Sequence, residues 1–213
     1  MQIIINCILS YLAGSISGSM VLGKLKGIDI RKKGSGNAGG TNAFRTVGLL
    51  FALGVVLIDV MKGIVSVLLI SNFSFYGVVE GQILIYMPLL CGAAAVIGHV
   101  YPVYYNFNGG KGAGTLIGVL GVLFPFCIPF ALISWILVLV LTGFVGLGTM
   151  VSGVVVVLIT HFAYPFGLNS PFGFFSILMA LFIFFTHRSN IYRMYQGEEN
   201  QFQKIMLFNK FFK

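Results

Sequence analysis

Residues 49–71 read LLFALGVVLIDVMKGIVSVLLIS, 23 residues interrupted by only two charges, Asp59 and Lys62. An α-helix rises about 1.5 Å per residue and a bilayer's hydrocarbon core is about 30 Å thick, so a run of this length and composition predicts a membrane-spanning helix. The two charges stand three positions apart and share one helical face. An unpaired charge at the bilayer centre costs about 3 kcal/mol on insertion scales. The pair is therefore expected to neutralise itself toward the protein interior, as a structural pair or as the floor of a polar cavity.

Working outward, the pattern repeats at 3–23, 83–105, 113–128, 130–148, 150–165 and 171–187. The stretch from 113 to 165 is almost continuously apolar and is divided by its breakers: Pro125 and Pro129 at one turn, and Gly143, Gly146 and Gly148 at another. The expected fold is an all-α integral membrane protein of one polytopic domain, 1–213, with seven transmembrane helices; five is the alternative. Composition excludes an ordinary soluble domain, because hydrophobic residues make up 58% and charged residues only 8%, against roughly 25% charged in globular proteins. The N-terminal run MQIIINCILSYLAGS lacks the basic region of a secretory signal and reads as a mature first helix. Cys7, Cys91 and Cys127 fall in apolar segments with no metal-ligand spacing and read as small hydrophobes. His161, in the sixth stretch, reads as a core histidine.

The charges set an orientation. Between the first and second stretches, between the third and fourth, and after the seventh lie 12 of the 13 Lys and Arg residues. The intervening loops near 72–82, 125–130 and 164–171 carry none. The positive-inside rule then places the N-terminus outside and the C-terminus in the cytoplasm. The formal charge of +8 follows from this placement and from anionic substrates, and does not point to nucleic acid.

Three polar, glycine-rich segments on the cytoplasmic side carry the candidate chemistry. Residues 29–45, DIRKKGSGNAGGTNAFR, offer Ser35, Asn37, Thr41 and Asn42 as hydrogen-bonding groups, with Arg31 and Arg45 as guanidinium forks suited to phosphate. Residues 34–39 match G-x-G-x-x-G, but a basic loop precedes them where a dinucleotide fold needs a strand. Residues 106–115, NFNGGKGAGT, set Gly109, Gly110, Lys111 and Gly112 ahead of a helix. Backbone donors, a positive dipole end and a point charge together make a phosphate cradle. Gly112 stands where a Walker A loop would have Ser or Thr. Residues 187–199, HRSNIYRMYQGEE, put His187, Asn190 and Arg193 on one helical face, with Gly197 ending the helix. His99, between Gly98 and Pro102, lies near enough to reach a cavity there. Metal ligation is not expected, since no His, Cys or carboxylate pair has ligand spacing.

Taken in order, the strings GSISG at 14–18, DIR at 29–31, GSGN at 34–37, TNAFR at 41–45, DVMKG at 59–63, Gly98-His99 with Pro102, GGKG at 109–112, and HRSNIYR at 187–193 with Gly197 and Glu199 resemble the bacterial acyl-phosphate:glycerol-3-phosphate acyltransferase (PlsY) family. The match runs from residue 14 to 199, and the ordered set is specific where each string alone is weak. Gly40 and Gly114 stand where the family commonly has Ala. Residues 143–149, GFVGLGT, replace a basic residue and Ser-x-x-Ser, so no role is transferred to that loop.

The resemblance implies transfer of a fatty acyl group from a long-chain acyl phosphate to the 1-hydroxyl of sn-glycerol 3-phosphate. The products are lysophosphatidate and inorganic phosphate, in the first acylation step of phospholipid synthesis. It implies a multi-pass protein of the bacterial inner membrane with its site facing the cytoplasm, no cofactor, no metal, and a functional link to an acyl-phosphate-forming enzyme. Catalytic roles fall on Ser35, Asn37, Arg45, His187 and Asn190. Phosphate contacts fall on Gly109, Gly110, Lys111, Gly112, Arg188 and Arg193, and structural roles on Asp59, Lys62 and Glu199. The chemistry is consistent with this: acyl phosphate is already activated, so positioning and charge stabilisation carry most of the catalysis. The hydroxyl proton goes either to His187 or to a substrate phosphate oxygen. An anion transporter would suit the intramembrane charges, but it does not explain polar groups concentrated in three segments on one face. The H-x-x-x-x-D motif of other glycerolipid acyltransferases is absent: Tyr104, Phe166 and Tyr192 stand fifth after the three histidines.

Overall fold

A computed structural model of the chain describes residues 1–74 and 83–207, and every regular element among them is helical. The chain forms two compact units, Met1–Pro125 and Phe126–Lys213. Most of the loop expected at 72–82, and Lys210 and Lys213, lie outside the described residues.

The first unit contains α1 (Gln2–Gly14), α2 (Gly18–Leu25), α3 (Gly40–Thr46), α4 (Leu49–Val65, prolonged by a π turn at Ser66–Ile70), α5 (Ile83–Val100) and α6 (Ala113–Leu123). Its helices meet through reciprocal glycines. A Cβ on Gly14 of α1 would lie 2.2 Å from the Ala95 carbonyl of α5, and one on Gly98 of α5 would lie 2.2 Å from the Tyr11 carbonyl of α1. The α4–α6 crossing repeats the device, with Gly63 against the Thr115 carbonyl at 2.3 Å and Gly118 against that of Val60 at 2.1 Å. In lipid no hydrophobic force drives helices together, so backbone approach at small residues supplies the packing.

Asp59 and Lys62 form the expected ion pair, 3.1 Å apart and buried. They also close the break between α1 and α2. Lys62 donates to the Ile16 carbonyl at 2.8 Å, and the Gly18 N–H donates to Asp59 at 3.2 Å. An ammonium thus meets the Ile16 carbonyl, just past the end of α1, and a carboxylate meets the amide opening α2, each near the dipole end it favours.

The second unit contains α7 (Cys127–Thr142), α8 (Val145–Ala163), α9 (Pro171–Thr186) and α10 (Arg188–Tyr195). In α7–α8 packing, Ser152 of α8 donates to the Ala131 carbonyl at 2.8 Å, and Gly148 lies against Trp135. Ser170 caps α9 by accepting the Gly173 N–H at 2.9 Å, with Pro171 pre-set for the first turn.

Each of the seven apolar stretches contains helix, though boundaries move. Pro129 sits in the first turn of α7, where a missing N–H costs nothing, so the break falls at 124–126 alone. Of the three glycines, Gly143 makes the turn with φ +74°, while Gly146 and Gly148 lie inside α8, which begins at Val145 and not at 150. Among the described residues three helices are long and apolar enough to cross a membrane, or five if the bent pairs α1–α2 (44°) and α9–α10 (50°) each count as one span. The 11-residue α6 is only about 17 Å long.

Candidate active site

Within the first unit, the segment 29–45 is organised from inside by Asn42. Its buried amide nitrogen donates toward the carbonyls of Ile30, Lys33 and Asn37 at 3.0–3.1 Å, and its oxygen accepts the Ser35 N–H at 3.0 Å. Asn42 therefore shapes the loop and does not face a ligand. Gly34, with φ +57°, passes so close to Asn42 that a Cβ there would sit 2.3 Å from its oxygen. The loop holds Ser35 exposed and Asn37 and Arg45 half-buried.

Arg31 is committed locally. Its guanidinium forks onto Asp29 at 2.9 and 3.1 Å, and a further N–H reaches the Tyr105 carbonyl at 3.2 Å. The hydrogen bond from Arg31 holds the Asp29 carboxyl below the ordinary carboxylate range, and the same bond raises the guanidinium. The Arg31–Tyr105 contact ties the first polar segment to the second. A further approach lies at Gly110, where a Cβ would stand 3.0 Å from the Ala38 carbonyl.

The second segment folds back on the end of α5. The N–H groups of Gly109 and Gly110 donate to the carbonyls of Val100 and His99, each at 3.1 Å. Those amides satisfy the helix end, and the segment's other backbone donors lie on the far side of Lys111. There Gly112, with φ +90°, turns the chain into α6, whose first-turn amides have no partner within the helix. Lys111 is half-buried beside them.

Within the second unit, His187 is buried at the α9–α10 bend. Its Nδ1 lies 2.8 Å from the Ile183 carbonyl. A carbonyl only accepts, so Nδ1 carries the proton and Nε2 holds the lone pair of the neutral ring. Asn190 donates to Glu199 at 2.8 Å, and Arg193 donates to the other Glu199 oxygen at 2.7 Å. Glu199 thus braces both residues, with only 4% of its side chain exposed. Arg188 is exposed and stacks over Phe185 at 4.5 Å while capping its carbonyl. A Cβ on Gly146 would lie 2.8 Å from the Asn190 amide nitrogen, so Asn190 fills the space a side chain would need.

The glycerol-3-phosphate acyltransferase family model matches residues 4–197. The chain belongs to that family. A glycerol-3-phosphate acyltransferase of Halalkalibacterium halodurans is 39% identical over 198 residues, covering 90% of this chain and 91% of the relative. One of Finegoldia magna is 39% identical over 207 residues, covering 96% and 98%. The crystal structure of PlsY (YgiH), an integral membrane glycerol 3-phosphate acyltransferase in its glycerol 3-phosphate form, superposes with a TM-score of 0.81 at 29% identity over the whole of both chains. The lysophosphatidic acid form gives 0.79 at 29% identity, covering 95% of this chain and 96% of that one. This member of the glycerol-3-phosphate acyltransferase family is therefore an integral membrane acyltransferase.

Sequence reading of this acyltransferase missed three placements. Asn42 turns inward, and Glu199 bridges Asn190 to Arg193. His99 lies buried between Asp59, 3.4 Å from its Nδ1, and Gly110. The signal for Arg31 was present, since Asp29 is two residues away. His161, expected in the core, is exposed and packs edge-on against Phe162. Gly40 is also tighter than a small-for-small exchange suggests, because a Cβ there would lie 2.6 Å from Val56 Cγ2.

Proposed function

We propose that this chain transfers a fatty acyl group from acyl phosphate to the 1-hydroxyl of glycerol 3-phosphate, releasing lysophosphatidate and inorganic phosphate. The observation that carries the reading is the meeting of two glycine-rich loops in the first unit, through Arg31–Tyr105 and Ala38–Gly110, in a member of this family. Two phosphate-bearing substrates need two anion-binding loops close together. The glycerol 3-phosphate and lysophosphatidic acid forms of the PlsY structures support the acceptor and the product.

In this reading Ser35, Asn37 and Arg45 hold the acyl phosphate, while Lys111, Gly112 and the start of α6 hold the phosphate of the acceptor. Gly109 and Gly110 fix the loop, and Arg188 and Arg193 add positive charge. The 1-hydroxyl oxygen bonds to the acyl carbon as the carbon–oxygen bond to phosphate breaks. The phosphate leaves with its electron pair, and the proton passes to a base, for which the resemblance offers His187, or to a phosphate oxygen. The resemblance gives Asn190 a catalytic role, and Asp59, Lys62 and Glu199 structural ones. The whole chain acts as one seven-span domain of the bacterial inner membrane, N-terminus outside and C-terminus inside, with the site open to the cytoplasm. An acyl-phosphate-forming enzyme supplies the donor.

The test is turnover of radiolabelled glycerol 3-phosphate by purified protein in lipid, with palmitoyl phosphate or palmitoyl-CoA as donor. Labelled lysophosphatidate is expected with the phosphate alone. Equal or faster turnover with the thioester would overturn the donor assignment.

A further inference from the structure

His99 occupies a position that neither its burial nor its charge explains alone. Its carbonyl accepts the Gly110 N–H at 3.1 Å, and its ring reaches in two directions. Nδ1 lies 3.4 Å from Asp59 Oδ1, an ion-pair distance without hydrogen-bond alignment. Nε2, at the other end, lies where a Cβ on Gly110 would be only 2.1 Å away. Asp59 is itself fixed by Lys62 and by the Gly18 amide. A continuous line of contacts therefore runs from the α1–α2 break through Asp59 and the imidazole to the residue preceding Lys111. On the same face of Gly110 the Ala38 carbonyl of the first loop lies 3.0 Å from that Cβ position. The ring and the first loop thus both close on the side-chain face of Gly110, and its lack of a side chain is what lets the ring sit there.

We propose that His99 is the positioning residue of the Gly109–Gly112 loop: its ring sets the height of the Gly110 backbone and so the direction in which Lys111 and the first turn of α6 face. The inference rests on the reading that this loop binds the phosphate of glycerol 3-phosphate. It adds a residue that touches no substrate. Misplacing a binding group by about 1 Å can cost on the order of a hundredfold, so a ring in contact with the loop backbone is well placed to control affinity.

The experiment measures KM for glycerol 3-phosphate and for palmitoyl phosphate on purified protein in lipid, for His99→Ala, His99→Gln, Gly110→Ala, both His99 changes combined with Gly110→Ala, and Lys111→Met. His99→Ala and Gly110→Ala are each expected to raise KM for glycerol 3-phosphate about tenfold or more, with KM for palmitoyl phosphate moving less than about twofold. His99→Gln, which keeps an amide near the Nε2 position, should restore most of the affinity. Removing the ring makes room for the new methyl group, so the Ala–Ala double variant should bind better than the product of the two losses requires. Where His99→Ala fails to fold, the comparison rests on Gly110→Ala, expected to raise KM for glycerol 3-phosphate, against His99→Gln, expected not to; the reverse pattern would overturn the proposal. Independent losses in the Ala–Ala double variant, or equal changes in both KM values, would overturn the proposal. Lys111→Met separates the two readings. If it leaves KM for glycerol 3-phosphate unchanged, the assignment of the loop is wrong. If it raises KM while the His99 variants do not, the loop assignment stands and the positioning role falls.

Discussion

Asn42 shows how one side chain can fix a polar loop from inside. Its nitrogen faces three carbonyls and its oxygen faces one amide. Asn42→Asp would replace a donor with an acceptor among acceptors: the Ile30 and Lys33 carbonyls keep the N–H groups of Lys33 and Gly36, but the Asn37 carbonyl loses its donor and all three face a carboxyl. An unsatisfied buried polar group costs about 1–3 kcal/mol. The variant is therefore expected to unfold at a clearly lower temperature and to lose turnover with it, and an unchanged melting curve in lipid would contradict the hub role. The sequence shows that Asn42 is polar, in a polar segment and near glycines, which suits a ligand group equally well. Which way an amide points depends on the loop's closure over it, and no local pattern encodes that. Arg31 is the opposite case, since its partner Asp29 lies within the same short turn and the pairing is local. His187 and Asn190 were legible as residues, whereas the Ile183 carbonyl that fixes the tautomer emerges only from the bend at residue 187.

At the scale of elements, the reciprocal glycines make a sharp contrast within one helix. A Cβ at Gly118 of α6 would lie 2.1 Å from the Val60 carbonyl, which is backbone and has no rotamer to turn, whereas a Cβ at Gly121 meets nothing within 4 Å. Gly118→Ala should force α4 and α6 apart and lower the melting temperature. Gly121→Ala should leave it unchanged or raise it, because Ala exceeds Gly in helix propensity by about 1 kcal/mol. Equal responses to the two substitutions would show that the α4–α6 contact is looser than described. Existence and type of the helices were legible because apolar runs are long and punctuated. The boundaries were less so, since Pro is a breaker only past the first helical turn and Gly only where φ turns positive. Pro129 and Gly146 fail those conditions, and Pro125 and Gly143 lie at the actual breaks.

For the whole molecule, orientation is the property that the charge pattern addresses most directly. With Cys7, Cys91 and Cys127 replaced, single cysteines at positions 35 and 111 are expected to react with an impermeant maleimide only after the cytoplasmic face is opened. One at 169 should react in intact cells. Labelling of 35 or 111 from outside would reverse the proposed topology. Membership of the family was legible because its polar strings are local and ordered along the chain. The organisation into two compact units was not, since it depends on which apolar faces meet, and lipid-exposed and buried leucines look alike in sequence.

The closure of the α1–α2 break has a consequence for biogenesis. A chain emerging from the ribosome delivers its N-terminal segment first. At that moment the Ile16 carbonyl and the Gly18 amide lack the partners that Lys62 and Asp59 later provide. Only when α4 arrives can the kinked first segment be sealed, and its two charges enter the bilayer already matched to each other and to those helix ends. Early assembly should therefore proceed by capture of the first segment by α4, making residues 1–65 the earliest stage at which the α1–α2 break has both of these partners.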